Sequence, residues 1–174
     1  MDVFEAIETR YSYRGRFTPE AIPREHLERI VRAGIAAPSG KNAQTTTFVI
    51  VDDPALLKRL AALFDKPCCE TARAMIVCVT DPRPVMGDVS FHVEDCAAAV
   101  ENMLLAITAL GYATVWLDGV LRYHRLAERI AEMLGVPPDR QVRVVLPLGV
   151  PAELGKQREK LPLERRAWFN RYGG

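Results

Sequence analysis

The chain has 174 residues, of which 49% are apolar and 26% are charged, and its formal net charge is +1. This length is enough for one domain with a substantial core. A charge so near zero disfavours general nucleic-acid binding and attachment to acidic membrane surfaces, because both need clustered positive charge. No apolar run reaches the roughly 18 residues of a membrane span, and the acidic start Met1–Glu5 is unlike a signal peptide. We therefore expect a cytoplasmic protein without a nucleic-acid or membrane partner.

Helices and strands alternate along the chain, as the apolar periodicity, the capping residues and the prolines indicate. In chain order, the pattern predicts a helix over 2–10, a helix from Pro23 to before Pro38, a strand over 46–51, a helix from Pro54 through Leu63, a strand over 74–80, a helix over 91–110, a strand over 112–117, a helix over 124–134 and a strand over 141–148. This alternation predicts one α/β or α+β domain over residues 1–174, with helices packed on a mixed sheet.

Two segments carry information about packing. Small and apolar residues surround most of the helix predicted over 91–110, so we expect it to be central and nearly enclosed. Beyond the last strand, residues 151–174 are rich in Arg and Lys but include Trp168 and Phe169. Such a tail packs either on its own subunit or on a partner, and composition alone favours neither.

The four cysteines form no CxxC pair and no zinc-type spacing. Cys78 and Cys96 lie in apolar segments, and Cys78 is predicted to be a core residue. The adjacent pair Cys68–Cys69 permits a second hypothesis, a redox pair or a soft-metal site, although cytosolic thiols usually stay reduced.

The three histidines are far apart in the sequence, so no metal site is predicted. The chain also lacks GxGxxG, GxxxxGK[ST] and GxSxG motifs.

A basic cluster follows the first predicted helix, where Arg10, Ser12 and Arg14 alternate. Alternate side chains of an extended segment lie on one side. Two guanidinium groups and a hydroxyl can therefore converge on a phosphate. The alternative interpretation is a solvated basic turn.

A turn-rich loop over 37–44 carries two amides, Asn42 and Gln44. Amide groups can bind the donor and acceptor edge of a planar ring, although a plain connecting loop is the alternative. Trp116–Gly119 lies at a predicted strand end, where backbone often faces a ligand, but Trp116 also suits a core position. The basic run Lys156–Pro162 suits either a solvated surface or the completion of a phosphate site.

Together, in this order, the four segments resemble the nitroreductase family of FMN enzymes over essentially the whole chain. The family's first motif, Arg-x-Ser-x-Arg/Lys, is matched by Arg10, Ser12 and Arg14, and its second, Pro-Ser-x-x-Asn-x-Gln, is matched by Pro38, Ser39, Asn42 and Gln44. Its third motif, Trp-x-x-Gly, is matched by Trp116 and Gly119. Its fourth, Gly-x-Pro-Ala-Glu with a later basic pair, is matched by Gly149, Pro151, Ala152, Glu153, Arg158 and Lys160. One departure affects the amide loop, since Thr45–Thr46 stand where the family commonly has Pro-Trp.

The resemblance implies an α+β fold with helices around a mixed, mainly antiparallel sheet. It also implies an intertwined homodimer in which the tail 151–174 wraps the partner subunit. The implied cofactor is FMN, and the implied electron donor is NADH or NADPH. The implied cofactor-binding residues are Arg10, Tyr11, Ser12, Arg14, Pro38, Ser39, Gly40, Asn42, Gln44, Leu117, Asp118, Gly119, Arg158 and Lys160.

Within this set, the resemblance implies different roles. Arg10, Ser12, Arg158 and Lys160 would bind the FMN phosphate, and Arg14 would lie beside the flavin edge that gains negative charge on reduction. Residues 38–42 would come from the other subunit, and the backbone of 118–119 would approach flavin N5. No side chain is expected to be a catalytic acid or base, because the flavin carries the chemistry.

The implied activity passes electrons from NAD(P)H through flavin to a small acceptor, such as a nitroaromatic or a quinone, in two steps. A specialised flavin reaction, such as dehalogenation or flavin breakdown, is one alternative. A flavin-binding store or sensor without turnover is another, and it would differ in showing no loss of flavin absorbance with a nicotinamide donor.

Overall fold

A computed structural model describes residues 1–173, so Gly174, the end of the predicted domain, lies outside the described residues. The helices are α1 (Val3–Thr9), α2 (Arg24–Ile35), α3 (Pro54–Ala61), α4 (Pro67–Glu70), α5 (His92–Ala109) and α6 (Leu126–Leu134). The strands are β1 (Thr46–Val51), β2 (Ala74–Thr80), β3 (Ala113–Thr114) and β4 (Gln141–Gly149). Short 3-10 turns occupy Gly40–Asn42, Gly119–Arg122 and Leu163–Arg165.

The four strands form one sheet in the order β1-β2-β4-β3, and all neighbouring strands are antiparallel. At the centre of the sheet, Cys78 lies between Phe48 and Val144. The parallel component that the family resemblance implied is a single bridge between Ser12 and Thr114 at the β3 edge. The α+β fold is therefore confirmed.

Helices cover both faces of the sheet and produce two apolar cores. On one face, α2 and α5 pack against side chains such as Ile76 and Leu146. On the other face, residues of α3, α4 and α6 pack against side chains such as Met75 and Val145. The long helix α5 is central as predicted, because its Val100, Met103 and Ile107 are completely buried. The sheet thus provides a rigid frame for the loops at its edges.

Local signals account for several helix ends. Asp2 accepts a hydrogen bond of 2.9 Å from the backbone N–H of Glu5, and Asp53 caps α3 in the same way through Leu56. Gly111 follows α5 with a φ of +83°, a backbone conformation that favours glycine. These observations confirm the predicted starts of α1 and α3 and the predicted end of α5.

Three predicted boundaries are wrong. The strand predicted over 112–117 pairs only at Ala113–Thr114, because the chain then leaves the ladder and Leu117 makes an isolated bridge with Val145. Helix α3 ends at Ala61, before Leu63. Helix α6 begins at Leu126 instead of 124, because His124 and Arg125 adopt a left-handed φ of 53° that a helix excludes.

The cysteines are all buried and unpaired, as predicted for Cys78. Helix α4, which the sequence pattern did not predict, carries Cys68 and Cys69. Within residues 1–173, no group of three or more His, Cys, Asp or Glu side chains is arranged to hold a metal ion. None of the helices in this range is long and apolar enough to cross a membrane.

Candidate functional site

A basic cleft of about 610 Å³ lies between the segment that follows α1 and the C-terminal tail. It brings together six of the predicted site residues with two others from the tail. The lining residues are Arg10, Tyr11, Ser12, Arg14, Lys156, Gln157, Arg158 and Lys160. Within residues 1–173, five of the side chains that line the cleft are cationic and none is acidic. The cleft therefore suits a multiply charged anion such as a phosphate.

The first wall of the cleft is an extended segment fixed at the sheet edge. Helix α1 ends at Thr9, and Arg10 leaves the helical conformation with a ψ of 130°. Ser12 then bridges Thr114 of β3, and the Tyr13 N–H donates to the Thr114 carbonyl at 2.8 Å. The Tyr13 ring is buried and its hydroxyl donates to the Arg16 carbonyl at 2.6 Å. Because Tyr13 anchors the segment inward, its neighbours Ser12 and Arg14 line the cleft.

The second wall is the start of the tail, and Gln157 holds it in place. The side-chain amide of Gln157 donates to the backbone carbonyls of Ile7 and Arg10, each at 3.0 Å. Gly155 lies against the ring of Tyr11, so closely that any side chain at 155 would overlap the ring. These contacts bring Arg158 beside Arg10, although the two residues are far apart in sequence. The role of Gln157 was not foreseen, because a lone glutamine in a basic run carries no sequence signal.

The cations of this cleft are only weakly neutralised by protein groups. Arg10 has a largely buried side chain, and within residues 1–173 its one carboxylate neighbour, Glu101, is 3.9 Å away. Within residues 1–173, Arg158 and Lys160 make no ion pair of 4.0 Å or less. An anion that enters the cleft would therefore meet guanidinium and ammonium groups without displacing a carboxylate.

The amide loop Pro38–Gln44 is held by a buried carboxylate of α5. Asp95 accepts from the Gly40 N–H at 2.8 Å and from the Thr45 hydroxyl at 2.6 Å. The Ser39 hydroxyl accepts from the Gln44 N–H at 3.1 Å. Thr45, which departs from the family pattern, is thus a buried partner of Asp95. The loop has a defined shape, although Pro-Trp is absent.

Strained backbone accompanies this loop. Lys41, Asn42 and Gln44 all have a positive φ, between 51° and 55°. Non-glycine residues adopt this region at a cost of about 1–3 kcal/mol each, and such residues cluster at functional sites. The hydrogen bonds to Asp95 offset that cost by fixing both ends of the loop. The predicted amide loop therefore has the features of a binding element.

The amide loop and the basic cleft line different cavities within one chain. Pro38, Ser39 and Gln44 line a pocket of about 390 Å³ together with apolar side chains such as Val31 and Phe48. Gly40 and Asn42 belong to the same loop, where Gly40 packs against the ring of Phe91. The 38–44 residues are therefore not brought to Arg10 in a single subunit.

The third predicted segment, 117–119, is held by arginines. Leu117 is buried at its bridge to Val145. The Asp118 carboxylate accepts from Arg122 at 3.0 and 3.1 Å and lies 3.4 Å from Arg143. A Cβ placed on Gly119 would meet nothing within 4 Å, so open space adjoins the backbone there.

Arg143 reaches Asp118 because β4 contains a bulge. The register between β2 and β4 shifts at Cys78–Val79, which leaves Arg143 without a partner residue on β2. Bulges re-aim side chains and are common next to functional sites. A bulge leaves no mark in a strand pattern, so the sequence did not reveal the contact.

Two buried thiols, those of Cys78 on β2 and Cys96 on α5, interact with each other. The hydrogen bond with Cys78 lowers the pKa of the Cys96 thiol, and the charge of Arg143 lowers it further, whereas burial and the charges of Asp118 and Asp95 oppose these effects. The carboxylate that holds the amide loop and the pair Asp118–Arg143 therefore lie near the first turns of α5.

Comparison with known proteins identifies the family. A family model described as the Nitroreductase family matches residues 7–68 and 69–150. The chain belongs to the nitroreductase family. A relative from Archaeoglobus fulgidus, provisionally named NADH dehydrogenase/NAD(P)H nitroreductase, is 35% identical over 153 residues. The alignment covers 87% of this chain and 87% of the relative. The family resemblance drawn from the four segments is confirmed.

Solved structures agree with this family membership. A protein of Bacteroides thetaiotaomicron, with the same provisional name, aligns with a TM-score of 0.85 and 28% identity over 98% of each chain. A provisionally named nitroreductase from Desulfovibrio desulfuricans, solved in complex with FMN, aligns with a TM-score of 0.79 and 33% identity over 94% of each chain. The fold of this nitroreductase-family chain is therefore that of its relatives.

Proposed function

We propose that the chain is an FMN-dependent oxidoreductase that uses NADH or NADPH to reduce a small acceptor such as a nitroaromatic or a quinone. The basic cleft between Arg10 and Arg158 carries this proposal. Its five cationic side chains and the Ser12 hydroxyl match the charge and hydrogen-bonding needs of a phosphate monoester. The cofactor named for the Desulfovibrio desulfuricans structure has such a group. The residues present therefore fit FMN.

Most residues of the cleft have a role in holding the cofactor. Arg10, Ser12, Arg158 and Lys160 bind the phosphate, and Tyr11 supports the tail through its contact with Gly155. When bound, FMN supplies the two-electron redox chemistry that protein side chains lack. Arg14, whose side chain lines the same cleft, provides a fixed cation for the edge of the ring that becomes negative.

The remaining site residues place and enclose the ring. Pro38, Ser39, Gly40, Asn42 and Gln44 form a loop with defined shape and two amides that can bind polar ring edges. The open space beside Gly119 admits a close approach to backbone, and Leu117 and Asp118 fix that segment in place. None of these side chains needs to act as a catalytic acid or base. The donor and the acceptor occupy the same place in turn, so the mechanism is ping-pong.

The site is completed by a second copy of the chain. The 38–44 loop and the basic cleft line separate cavities within one subunit, and a homodimer brings the loop of one subunit to the cleft of the other. The tail 151–173 offers large exposed apolar side chains for that interface, among them Leu154, Phe169 and Tyr172. On α1, Phe4 and Ile7 are also exposed. The described chain is thus one domain whose tail packs on its partner.

The first experiment is a visible spectrum of the purified protein with added FMN, followed by anaerobic addition of NADH and of NADPH. We expect the flavin band to bleach with at least one donor and to recover when a quinone or nitroaromatic is added. A bound flavin that never bleaches would favour a store or sensor. Absence of flavin binding would contradict the proposal and would favour the alternative interpretation of the basic cleft as solvated surface.

A further inference from the structure

A second cationic cavity adjoins the 117–119 segment. Its volume of about 480 Å³ lies between the turn Gly119–Arg122, the first turns of α6 and the start of β4. This size is within the range of small-molecule pockets. Asp118 belongs to its wall, so the cavity begins next to the backbone proposed to face the flavin. No role has been assigned to it by the resemblance or by the proposed function.

The charges around this cavity favour an anion. Four guanidinium groups, those of Arg122, Arg125, Arg140 and Arg143, face two carboxylates, Asp118 and Glu128. Arg122 and Arg143 share the carboxylate of Asp118, and Arg140 pairs with Asp81 outside the cavity wall. Arg125 makes no ion pair of 4.0 Å or less within residues 1–173.

The backbone directs Arg125 to this position. His124 and Arg125 both have a left-handed φ of 53°, and Arg125 is the N-cap of α6. This conformation costs about 1–3 kcal/mol for each non-glycine residue. No side chain caps α6 in the described structure, and its first-turn residues Ala127 and Glu128 line the cavity. The partial positive charge of the helix start thus adds to that of the arginines.

Apart from Gln141, the rest of the wall is apolar, which favours a nucleotide over a simple ion. Leu121, Ala127, Ala131, Pro138 and Val142 contribute to it. A planar base or ribose can pack on such a surface, and guanidinium groups stack on aromatic rings. Inorganic phosphate would use the arginines alone.

We infer that this cavity binds the phosphate-bearing adenosine end of the nicotinamide donor, with Arg125 as its principal phosphate ligand. This inference rests on the proposed function, because it places the donor in relation to the proposed flavin site. The phosphate in question is either the 2′-phosphate that only NADPH carries or the pyrophosphate that both donors share. Glu128, at the rim, opposes an anion.

The test is isothermal titration of FMN-saturated protein with adenosine 2′,5′-bisphosphate and, separately, with ADP. Saturation with FMN occupies the other basic cleft, so the probes report on this cavity. Arg125→Gln should weaken binding about tenfold, as loss of a charged hydrogen bond predicts. Arg129→Gln is the matched control, because Arg129 lies one turn later on α6 and outside the cavity wall, and it should change nothing. Glu128→Gln should tighten binding about threefold by removing an exposed opposing charge.

Comparison of the two probes assigns the phosphate. Tighter binding of the 2′,5′-bisphosphate supports the 2′-phosphate assignment, and kcat/KM should then favour NADPH and fall with Arg125→Gln. Equal binding supports the pyrophosphate assignment, and Arg125→Gln should then lower kcat/KM for both NADH and NADPH. The inference is overturned if neither probe binds saturably, or if Arg125→Gln and Arg129→Gln behave alike. A flavin that still bleaches in that case leaves the proposed function standing.

Discussion

The carboxylate of Asp95 and the hydroxyl of Thr45 form a buried hydrogen bond of 2.6 Å between α5 and the end of the amide loop. The other oxygen of the same carboxylate holds the Gly40 N–H at 2.8 Å. Both ends of a loop with three left-handed residues are thus fixed by one side chain.

Asp95→Ala should lower the free energy of unfolding by about 2–4 kcal/mol, because it leaves the buried Thr45 hydroxyl and the half-buried Gly40 N–H without an acceptor. Urea denaturation measures the change. Glu94→Ala is the control, since Glu94 is exposed on the same helix turn, and it should stay within about 0.5 kcal/mol. Equal effects of the two substitutions would contradict the role given to Asp95.

Arg10→Ala should weaken FMN binding by about 1.5–3 kcal/mol, the range of a hydrogen bond to a charged group. Fluorescence titration of FMN provides the dissociation constant. Arg16→Ala provides a matched comparison, because Arg16 pairs with Glu70 at 3.3 Å and does not line the basic cleft. If FMN affinity were the same in Arg10→Ala and in the parent protein, the phosphate would lie elsewhere.

Phe169→Ala should raise the dissociation constant of the homodimer at least about tenfold, because aromatic anchors contribute strongly to interfaces. Its side chain is 92% exposed in one chain, which a partner subunit would cover. Sedimentation at several concentrations measures the constant, and Arg171→Ala should leave it nearly unchanged. An unaltered constant in Phe169→Ala would show that this part of the tail is not in the interface.

Asp81→Asn should make the free energy of unfolding depend less on pH in the acid range. Burial raises the pKa of Asp81, but the Arg83 backbone N–H and the charge of Arg140 hold it below its ordinary value. Because the folded pKa is the lower one, Asp81 stabilises the fold above pH about 4 and this contribution is lost as the pH falls further. Unfolding free energies at a series of acid pH values should therefore converge for the parent and Asp81→Asn.

The matched variant for this profile is Asp139→Asn, because Asp139 also approaches Arg140, at 3.8 Å, but its side chain is 69% exposed. Its acid profile should follow that of the parent protein. Parallel profiles for the parent and Asp81→Asn would contradict the assignment.

The double substitution Cys68→Ala and Cys69→Ala should leave flavin binding and turnover unchanged. The hydrogen bond with Cys69 lowers the pKa of Cys68 to about 7, but both thiols are buried in the core. Cys69 borders a groove with Leu57 and Phe64, away from the basic cleft. Loss of two buried sulfur atoms should cost about 1–2 kcal/mol of unfolding free energy. A loss of flavin or of turnover would instead favour the redox-pair hypothesis.

Local patterns were sufficient for most secondary structure. The predicted strands over 46–51 and 74–80 agree with the structure at both ends. The first is rich in β-branched and aromatic residues and the second is mostly apolar, and short runs of these kinds bounded by turns favour a strand. The starts of α1 and α3 were likewise predictable from Asp2 and Pro54, since capping depends on neighbours in sequence.

Tertiary contacts decided the rest. The sequence by itself determined which residues could bind an anion, because charge and hydrogen-bonding groups are properties of single side chains. The family resemblance implied that Arg158 and Arg10 share a phosphate, but only the folded chain revealed that Gln157 holds the tail at Arg10 and that Arg143 reaches Asp118 through a bulge in β4. Such contacts join residues whose separation in sequence has no periodicity, so their pairing depends on how the sheet and helices pack.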